Sequence, residues 1–355
     1  VVDLEKLPVT TKRDLQQAGE QAVSRFYPRE MLIERRTSGS SGEPTTLYFD
    51  RHFEWVRKLV FLRSLRAAGY RLGDRMMMAT GDSSGGRPSW PGLMKIRFDE
   101  SPESVVSLIE KKQPVMLYGW VTTLLGVAVY LRDSGRRVTG LRSIVTTAES
   151  LEPTTRRFLE DTFDATVFDF YGLTEMGTVA WQCKHDDGYH ISEDITFVDY
   201  VPLERATGDQ AMVMTNLELT AMPLIRYQTD DLIRTPQFDP CACGRNFNRI
   251  KQVSGRLVDC VRHADGHRVS PYSVTLALES LPNLRRYQVV EMQRNSFLVR
   301  CERVSGGTVQ SEASVKGALA GVLGDVHIDV RYEDEIRAAN GRKFRVVESR
   351  LNWSP

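Results

Sequence analysis

Apolar residues between about residues 50 and 175 recur first at helical spacing and then in short continuous runs. The first predicted helix carries apolar residues on one face: Phe53, Val56, Leu59 and Val60. Gly69 is placed where that helix should end. Ser101 followed by Pro102 is typical of an N-cap and a first helical position, so a second helix is predicted from there to about Lys112.

Three short apolar runs are predicted strands: residues 114–118, 143–147 and 165–170. Helical patterns separate them at about residues 122–132 and 153–162. This alternation predicts an α/β fold with a mainly parallel sheet covered by helices. Ligands bind beyond the carboxyl ends of such strands. Three polar clusters fall there: Tyr118-Gly119-Trp120, Thr147-Ala148-Glu149 and Tyr171-Gly172-Leu173-Thr174-Glu175.

The pattern changes from about Asp259 onward. Residues 287–292 and 297–301 look like paired strands, and a helix is predicted over about residues 309–322. Val326, Ile328 and Val330 then alternate as in a strand. The sequence therefore predicts a small α+β unit after the larger α/β region.

The amino-acid composition argues against several classes of function. Lys plus Arg is 47 and Asp plus Glu is 46 in 355 residues, a formal charge of +1. That balance argues against a protein built to hold nucleic acid or an anionic membrane surface. No apolar run approaches the ~20 residues of a membrane span, and no signal peptide is visible. Five cysteines favour a reducing compartment, so a cytoplasmic location is expected.

The segment Arg36-Thr37-Ser38-Gly39-Ser40-Ser41-Gly42-Glu43-Pro44 is the clearest candidate for chemistry. Its glycines let the backbone approach phosphate oxygens, and its hydroxyl groups add donors, so it could wrap a polyphosphate. It is not a Walker-type loop, because no Gly-Lys-Ser/Thr closes it. A flexible surface loop rich in Ser and Gly is the alternative.

Two acidic segments follow predicted strands. In Asp169-Phe170-Tyr171-Gly172-Leu173-Thr174-Glu175, the aromatic ring can stack on a base, the threonine can bond a phosphate and the carboxylate can hold Mg²⁺. In Arg226-Tyr227-Gln228-Thr229-Asp230-Asp231-Leu232, a carboxylate can accept both ribose hydroxyls. Ordinary turns are the alternative for each segment.

A basic segment, Asn340-Gly341-Arg342-Lys343-Phe344-Arg345, lies nearly ninety residues beyond Gly255-Arg256. A lysine on a glycine-led turn can reach a phosphoryl oxygen and a carboxylate together. Taken alone, such a run is usually a solvated face.

In this order, the segments resemble the motifs of the adenylate-forming superfamily of acyl-CoA ligases, adenylation domains and luciferases. The resemblance is nearest to the phenylacetate-CoA ligase-like and capsule-biosynthesis-type branch, of which the opening Leu7-Pro8-Val9-Thr10-Thr11-Lys12 is also typical. It covers about residues 7–350. It implies a large domain (1–255), a hinge (256–259) and a small mobile C-terminal domain (260–355). Because family members usually carry more chain before this start, the N-terminus is expected to be incomplete.

The resemblance also implies residue roles. The implied nucleotide-binding residues are Thr37, Ser38, Gly39, Ser40, Ser41, Gly42, Thr147, Ala148, Glu149, Asp169, Phe170, Tyr171, Gly172, Thr174, Asp231 and Arg256. The implied catalytic residues are Lys343, Thr174 and Glu175, with Glu175 also holding Mg²⁺. The acid pocket is expected to involve Tyr118, Gly119 and Trp120, together with the backbone around Met176 and Gly177. The aromatic rings suit an aryl or arylacetic acid, and ordinary core residues are the alternative.

Three positions depart from the family pattern. Glu43 stands where the phosphate loop normally has lysine, which removes a positive charge near the pyrophosphate. Asp230 takes a place often held by glycine or arginine, and Val258 takes a hinge place that is commonly acidic. These departures bear on the rate of the first half-reaction and on the ease of domain rotation.

Cys183, His190, Cys241 and Cys243 supply four ligands, the number that a closed tetrahedral zinc site needs. His190 is preferred to His185 because it precedes a predicted strand. The Cys-x-Cys spacing is tighter than usual, so buried free thiols are the alternative. Members of the branch carry similar cysteines, some of which bind zinc, and a zinc ion here is expected to be structural.

The expected function is ATP-dependent activation of a carboxylic acid to an acyl-adenylate, followed by transfer to coenzyme A. One alternative keeps adenylation but passes the acyl group to an amine, or transfers AMP itself. A zinc-containing nucleotide-binding or regulatory protein without turnover is another. No nucleic-acid or membrane partner is expected, and a homodimer is left open.

Overall fold

The computed structural model describes residues 3–37, 45–80, 91–185, 188–202, 209–256, 259–279, 281, 284, 286–302, 311–334, 336 and 344–351. Its α-helices are α1 (Lys12–Ala18), α2 (Arg51–Ala67), α3 (Pro102–Lys112), α4 (Val121–Ser134), α5 (Pro153–Phe163), α6 (Pro271–Glu279) and α7 (Glu312–Leu323). Short 3-10 helices lie at Leu4–Lys6, Gly19–Ala22 and Arg29–Met31.

The strands, in chain order, are β1 (Ile33–Arg36), β2 (Thr46–Phe49), β3 (Met76–Thr80), β4 (Leu93–Arg97), β5 (Met116–Trp120), β6 (Ser143–Thr147), β7 (Thr166–Leu173), β8 (Gly177–Gln182), β9 (Tyr189–Ile191), β10 (Thr196–Pro202), β11 (Asp209–Asn216), β12 (Tyr227–Gln237), β13 (Arg249–Arg256), β14 (Val261–Arg262), β15 (Arg268–Val269), β16 (Tyr287–Gln293), β17 (Ser296–Glu302), β18 (His327–Glu333) and β19 (Val347–Ser349).

One large sheet has the strand order β10-β11-β12-β13-β9-β8-β7-β6-β5-β3-β4. The strands from β4 to β7 in this order are parallel, as predicted. From β7 onward the sheet continues with antiparallel neighbours. The strand β7 therefore lies at the junction of the two halves, with a parallel neighbour on one side and an antiparallel neighbour on the other.

Helices α3, α4 and α5 cover the parallel half. Their apolar faces pack with the strands in one buried cluster, which includes Val106, Leu124, Val127, Leu159 and Phe163. Burial of each large side chain contributes roughly 1.5–3 kcal/mol. This packing explains why the helical periodicity of the sequence predicted these helices.

Local signals set the helix ends. The Ser101 hydroxyl accepts a hydrogen bond from the Ser104 amide at 3.2 Å at the start of α3, and Gln113 ends that helix at φ 48°. In α2, Phe53 and Val60 are buried as predicted, but Leu59 is 62% exposed. Consecutive helical residues point about 100° apart, so Leu59 faces solvent when Val60 faces the core.

The smaller C-terminal domain has a four-stranded sheet in the order β18-β17-β16-β19. Strands β16 and β17 pair antiparallel, as predicted. Helix α7 begins after Ser311, and its predicted start at residue 309 lies outside the described residues. Val274, Leu278, Val315 and Leu319 from the helices share one core with the sheet.

Arg234 on β12 connects the large sheet with the smaller domain. Its guanidinium nitrogens Nε and Nη2 lie 3.2 and 3.3 Å from the Asp209 carboxylate. Nη2 also donates to the Ser273 hydroxyl at 3.1 Å, and the guanidinium lies 5.1 Å from the centre of the Tyr272 ring. Among the described helices, none has the length and hydropathy needed to cross a bilayer.

Candidate active site

Tyr171, Asp231 and Arg256 meet beside the junction strand β7. The Tyr171 hydroxyl donates to Asp231 Oδ2 at 2.7 Å, and Arg256 Nε donates to Asp231 Oδ1 at 3.3 Å. The pairing of β12 with β13 sets Asp231 opposite Arg256. Burial and the neighbouring Asp231 charge raise the pKa of Tyr171 well above its usual range, so the phenol stays a donor.

Glu175 lies in the same group. The Tyr227 hydroxyl donates to Glu175 Oε1 at 3.3 Å, and the Glu175 side chain is buried. Burial raises the pKa of Glu175 above its usual value. A half-buried Thr174 precedes it in the turn between β7 and β8. The arrangement places an acidic side chain where it can hold a divalent cation.

Asp169 and Phe170 lie on the buried part of β7. The hydroxyls of Thr146 and Tyr189 donate to the Asp169 carboxylate at 2.5 and 2.9 Å. Burial raises the pKa of Asp169. Phe170 is also buried. Both residues therefore support the strand from within the core, beneath the polar group around Tyr171.

The carboxyl ends of the parallel strands β5 and β6 lie at the same edge of the sheet. Tyr118 packs edge-on against Phe61 at 5.2 Å, and burial raises the pKa of Tyr118 to about 12. Trp120 stacks on Phe98 with 4.5 Å between ring centres. Gly119 is buried, and a Cβ added there would lie 3.1 Å from the Cβ of Ala79. Tyr118 and Trp120 thus make aromatic contacts at the ends of these strands, and their place in an acid pocket stays a prediction.

Glu149 and Thr147 make internal contacts. The Glu149 carboxylate accepts from the Thr122 amide at 2.8 Å, at the first turn of α4. The Thr147 hydroxyl donates to the Phe170 carbonyl at 2.9 Å. Ala148 between them has φ 68°, an uncommon conformation for a residue with a side chain. Such strained backbone is often retained where function requires it.

The predicted pocket residues Met176 and Gly177 differ in exposure. The Met176 side chain is fully buried in the main core, so only its backbone is a candidate to contact a substrate. Gly177 has φ 79°, and an added Cβ would lie 3.2 Å from side-chain atoms of Arg57. Gly172 is equally confined, because an added Cβ would lie 2.9 Å from the Gly177 carbonyl oxygen.

The predicted phosphate loop joins β1 to β2. The Thr37 amide donates to the Thr45 carbonyl at 3.0 Å, and the Thr45 amide donates to the Thr37 hydroxyl at 2.9 Å. These bonds close the base of the loop. The predicted ligand-contacting residues Ser38, Gly39, Ser40, Ser41 and Gly42 lie outside the described residues. The departure at Glu43, the predicted catalytic Lys343 and the hinge residue Val258 also lie outside them.

Sequence reasoning did not identify the contact between the N-terminal segment and β12. The Arg226 guanidinium donates to the carbonyls of Glu5 and Leu7, the latter at 2.7 Å. Thr10 forms an isolated parallel bridge with Tyr227. The available signal was the opening segment from Leu7 to Lys12, typical of one family branch, although its position in the fold could not be read from it.

The structure brings the four predicted zinc ligands together. The ligand atoms of Cys183, His190, Cys241 and Cys243 all lie within 4.8 Å of one another. The sulfurs of Cys183 and Cys241 are 3.8 Å apart, and Cys243 Sγ is 3.4 Å from His190 Nε2. Zn–S bonds of about 2.3 Å and Zn–N bonds of about 2.0–2.1 Å give tetrahedral edges of about 3.8 and 3.6 Å. The residues therefore fit a zinc ion.

The surroundings of this cluster are closed. Cys183, His190 and Cys241 are buried, and the fully buried Trp181 stacks on the His190 ring with 4.7 Å between centres. A catalytic zinc site keeps one coordination position open for water or substrate, whereas a structural site uses four protein ligands. The arrangement matches the structural type.

Comparisons with known proteins identify relatives of this chain. Phenylacetate-coenzyme A ligase of Escherichia coli (strain K12) is 30% identical over 321 residues, which are 83% of this chain and 71% of that protein. Phenylacetate-coenzyme A ligase of Pseudomonas putida is 27% identical over 316 residues, with 83% and 70% covered. A scan against models of protein families gave no match.

Solved structures share the fold. 2-Hydroxyisobutyryl-CoA ligase, crystallised in the postadenylation state with 2-HIB-AMP, superposes with a TM-score of 0.79 at 21% identity and covers 98% of this chain and 81% of its own. ATP-bound MatB from Rhodopseudomonas palustris gives 0.63 at 16% identity, with 89% and 67% covered. These structures establish the fold, and the E. coli relative establishes the family. This chain belongs to the phenylacetate-coenzyme A ligase family.

Proposed function

We propose that this protein joins a carboxylic acid to AMP from ATP, releasing pyrophosphate, and then transfers the acyl group to the thiol of coenzyme A, releasing AMP. The observation that carries the proposal is the convergence of Tyr171, Glu175, Asp231 and Arg256 at the junction of the two halves of the sheet. Open α/β sheets bind ligands beyond the carboxyl ends of their parallel strands, and Tyr171 to Glu175 lie at or just beyond the carboxyl end of β7. The named activity of the relatives, phenylacetate-coenzyme A ligase, supports the same reaction.

In the first step, Asp231 accepts hydrogen bonds from the ribose hydroxyls, while Tyr171 and Arg256 hold its carboxylate in place. The hydroxyl of Thr174 and the loop from Thr37 to Gly42 contact the phosphates. Mg²⁺, held at Glu175, supplies charge neutralisation for the phosphates when bound. Lys343 approaches the α-phosphate as the acid attacks, so the protein contributes position and electrostatic stabilisation.

The acid binds beside Tyr118, Gly119 and Trp120, with the backbone of Met176 and Gly177 on the opposite side. Flat aromatic walls favour an aryl or arylacetic acid, because offset or edge-on ring contacts stabilise such a ligand. For the second step, the smaller domain rotates about residues 256–259 and removes Lys343, which opens a path for the thiol of coenzyme A.

A zinc ion held by Cys183, His190, Cys241 and Cys243 serves as a structural cross-link in this proposal. It joins the segment around β8 and β9 to the loop before β13. Since Trp181, Cys183 and Cys241 share a core cluster with Phe170, the ion would stabilise the base of the active site.

Pyrophosphate exchange with a panel of aryl, arylacetic and aliphatic acids tests the function. Acid-dependent exchange, followed by thioester formation when coenzyme A is added, is the expected result. If pyrophosphate exchange occurs but no thioester forms, and an acyl-transfer product appears only when an amine is supplied, the protein would be assigned as an amide-forming ligase. No exchange with any acid, by protein that binds MgATP, would contradict acid activation.

A further inference from the structure

The turn between β14 and β15 in the smaller domain carries two histidines and an aspartate. The two strands pair antiparallel, and just beyond them the His263 amide donates to the His267 carbonyl at 2.9 Å. The two histidines therefore face each other across the hairpin, and their rings stack with 4.3 Å between centres. Asp265 lies between them in the turn, and one ligand atom from each of the three side chains lies within 4.8 Å of the others.

The two imidazole rings converge on one carboxylate oxygen. His263 Nδ1 and His267 Nδ1 lie 3.0 and 2.6 Å from Asp265 Oδ1. Imidazole nitrogens and carboxylate oxygens bind transition-metal ions with bonds of about 2.0–2.2 Å. At that bond length, neighbouring ligand atoms around one ion are about 3–3.5 Å apart. Small side-chain movements would therefore let the three groups enclose an ion.

The backbone of the turn keeps one of these nitrogens in the form that binds a metal. The Asp265 amide lies 3.2 Å from His263 Nδ1, and an amide N–H can only donate. Nδ1 of His263 therefore carries a lone pair, and the ring proton is on Nε2. A metal ion would take this lone pair in place of a long hydrogen bond, so the site is prepared for a cation before one arrives.

The end of helix α7 adds a field that favours a cation at the turn. The Ala264 amide donates to the carbonyl of Leu323, the last residue of this 12-residue helix, at 2.8 Å. A Cβ added to Gly324 would lie 2.8 Å from His263 Nε2, so the His263 ring packs directly against the helix end. The C-terminus of a helix carries a partial negative charge that stabilises nearby cations.

The requirements of the turn do not explain the two histidines. The Asp265 carboxylate accepts from the His267 amide at 3.0 Å, a bond that is common in tight turns and accounts for the aspartate alone. The neighbouring Arg262 acts on a different group: burial raises the pKa of Glu291, and the charge of Arg262 acts against that rise. The histidine rings are half-buried and Asp265 is exposed, so an ion can reach all three.

We propose that His263, Asp265 and His267 bind a divalent transition-metal ion at the tip of this hairpin. Two imidazoles and one carboxylate favour ions such as Ni²⁺, Zn²⁺ or Fe²⁺ over Mg²⁺ and Ca²⁺, which prefer oxygen ligands alone. Three protein ligands leave the remaining coordination positions to water, so the ion exchanges more readily than one held by the cysteine cluster and fills the site when metal is added. The inference does not depend on the proposed adenylation activity.

A titration of the full chain with Ni²⁺ tests the inference, after one equivalent of Zn²⁺ has filled the cysteine cluster. Calorimetry should show that the wild type binds about one Ni²⁺ ion per chain and that excess Mg²⁺ does not compete. Loss of an outer partner of a metal ligand weakens binding about 10- to 100-fold, so loss of a ligand should cost at least about tenfold. That loss is expected in His263→Asn, His267→Asn and Asp265→Asn, the last of which keeps an oxygen for the turn.

His52→Asn is the matched control, because His52 Nε2 lies 2.8 Å from Glu218 in a surface pair that has one histidine and one carboxylate. Its affinity for Ni²⁺ should equal that of the wild type. In proton NMR spectra, paramagnetic Ni²⁺ should broaden the ring signals of His263 and His267 first and leave those of His52 sharp. Melting temperatures without metal establish that each variant is folded. Absence of Ni²⁺ binding in the wild type would overturn the inference, and so would unchanged affinity in the three ligand variants.

Discussion

The Tyr171 hydroxyl and the Asp231 carboxylate are 2.7 Å apart, although 60 positions separate the two residues in the chain. Arg256 contacts the other carboxylate oxygen at 3.3 Å. Two donors from two different strands therefore hold Asp231 in one orientation. A carboxylate fixed in this way can accept both ribose hydroxyls without first being ordered, which lowers the entropic cost of nucleotide binding.

Asp231→Ala should raise the KM for ATP in pyrophosphate exchange by about 10- to 100-fold, because the ribose loses a charged acceptor. The neighbouring Asp230 has an exposed side chain and provides the matched variant, Asp230→Ala. Its effect should be smaller. Equal KM values for ATP in the two variants would argue against a ribose contact at Asp231.

Lys343→Ala should abolish acyl-adenylate formation, since the positive charge that stabilises the transferring phosphoryl group is gone. Thioester formation from supplied acyl-adenylate and coenzyme A should remain largely intact. The two half-reactions are measured separately, by pyrophosphate release and by thioester absorbance. Equal loss of both half-reactions would refute the assigned role.

Glu149→Ala should destabilise the fold by about 1–2 kcal/mol, because the carboxylate that accepts from the Thr122 amide at the start of α4 is lost. Urea unfolding measures the change, and Glu103→Ala, at an exposed position in the first turn of α3, is the control. The KM for ATP should change little. A large rise in that KM without loss of stability would instead favour direct adenine contact.

The unfolding free energy should depend on the protonation of Asp259. Burial raises its pKa from 3.8 to about 6, despite the Arg345 guanidinium 2.7 Å away. The folded protein therefore takes up a proton below about pH 6 that the unfolded chain does not, so this group adds stability as pH falls. Between about pH 8 and pH 5 the gain is about 1 kcal/mol, and Asp259→Asn should lack it.

Asp99 provides the opposite case. Side-chain hydrogen bonds from Arg97 lower its pKa below the usual value. Its contribution is present above its unfolded pKa and is lost only at more acidic pH, so Asp99→Asn should keep the wild-type trend from pH 8 to 5. Urea titrations across this range distinguish the two variants. An identical pH dependence of Asp259→Asn and the wild type would contradict the assignment.

Cys243→Ser should reduce bound zinc from about one ion per chain to near zero, since a closed site needs all four ligands. Cys301 is buried in the core of the smaller domain and is not among the clustered ligands, so Cys301→Ser should retain the metal. Elemental analysis measures the content. The melting temperature after chelation should fall in the wild type and change little in Cys243→Ser. Full zinc content in Cys243→Ser would exclude it as a ligand.

Local signals explain why part of the fold could be predicted. The strand at residues 143–147 and the helix that begins at Pro102 were predicted with the bounds that the structure has. Their signals, an apolar run and an N-cap followed by proline, depend only on neighbouring residues. The antiparallel half of the sheet carries weaker local sequence signals. Strand β9, for example, has only three residues and pairs with β13, which lies far along the chain.

The same contrast between local signals and long-range contacts applies to the candidate site. The family resemblance assigned Tyr171, Glu175 and Asp231 to one nucleotide-binding site, because the motifs that contain them are recognisable in the sequence. It did not indicate that the Tyr227 hydroxyl would contact Glu175, nor that Thr10 would pair with Tyr227. Those contacts join segments with no local signal in common, so they depend on how the whole chain packs.

The contact of Arg234 with the smaller domain has a consequence for movement. The ion pair of Arg234 with Asp209 lies wholly within the large sheet, so it would persist if the smaller domain turned. Only the Ser273 hydrogen bond and the Tyr272 ring contact would be exchanged for water, at a cost of about 1–2 kcal/mol. At this contact no buried charge would lose its partner, so the contact itself would oppose a change of domain orientation only weakly.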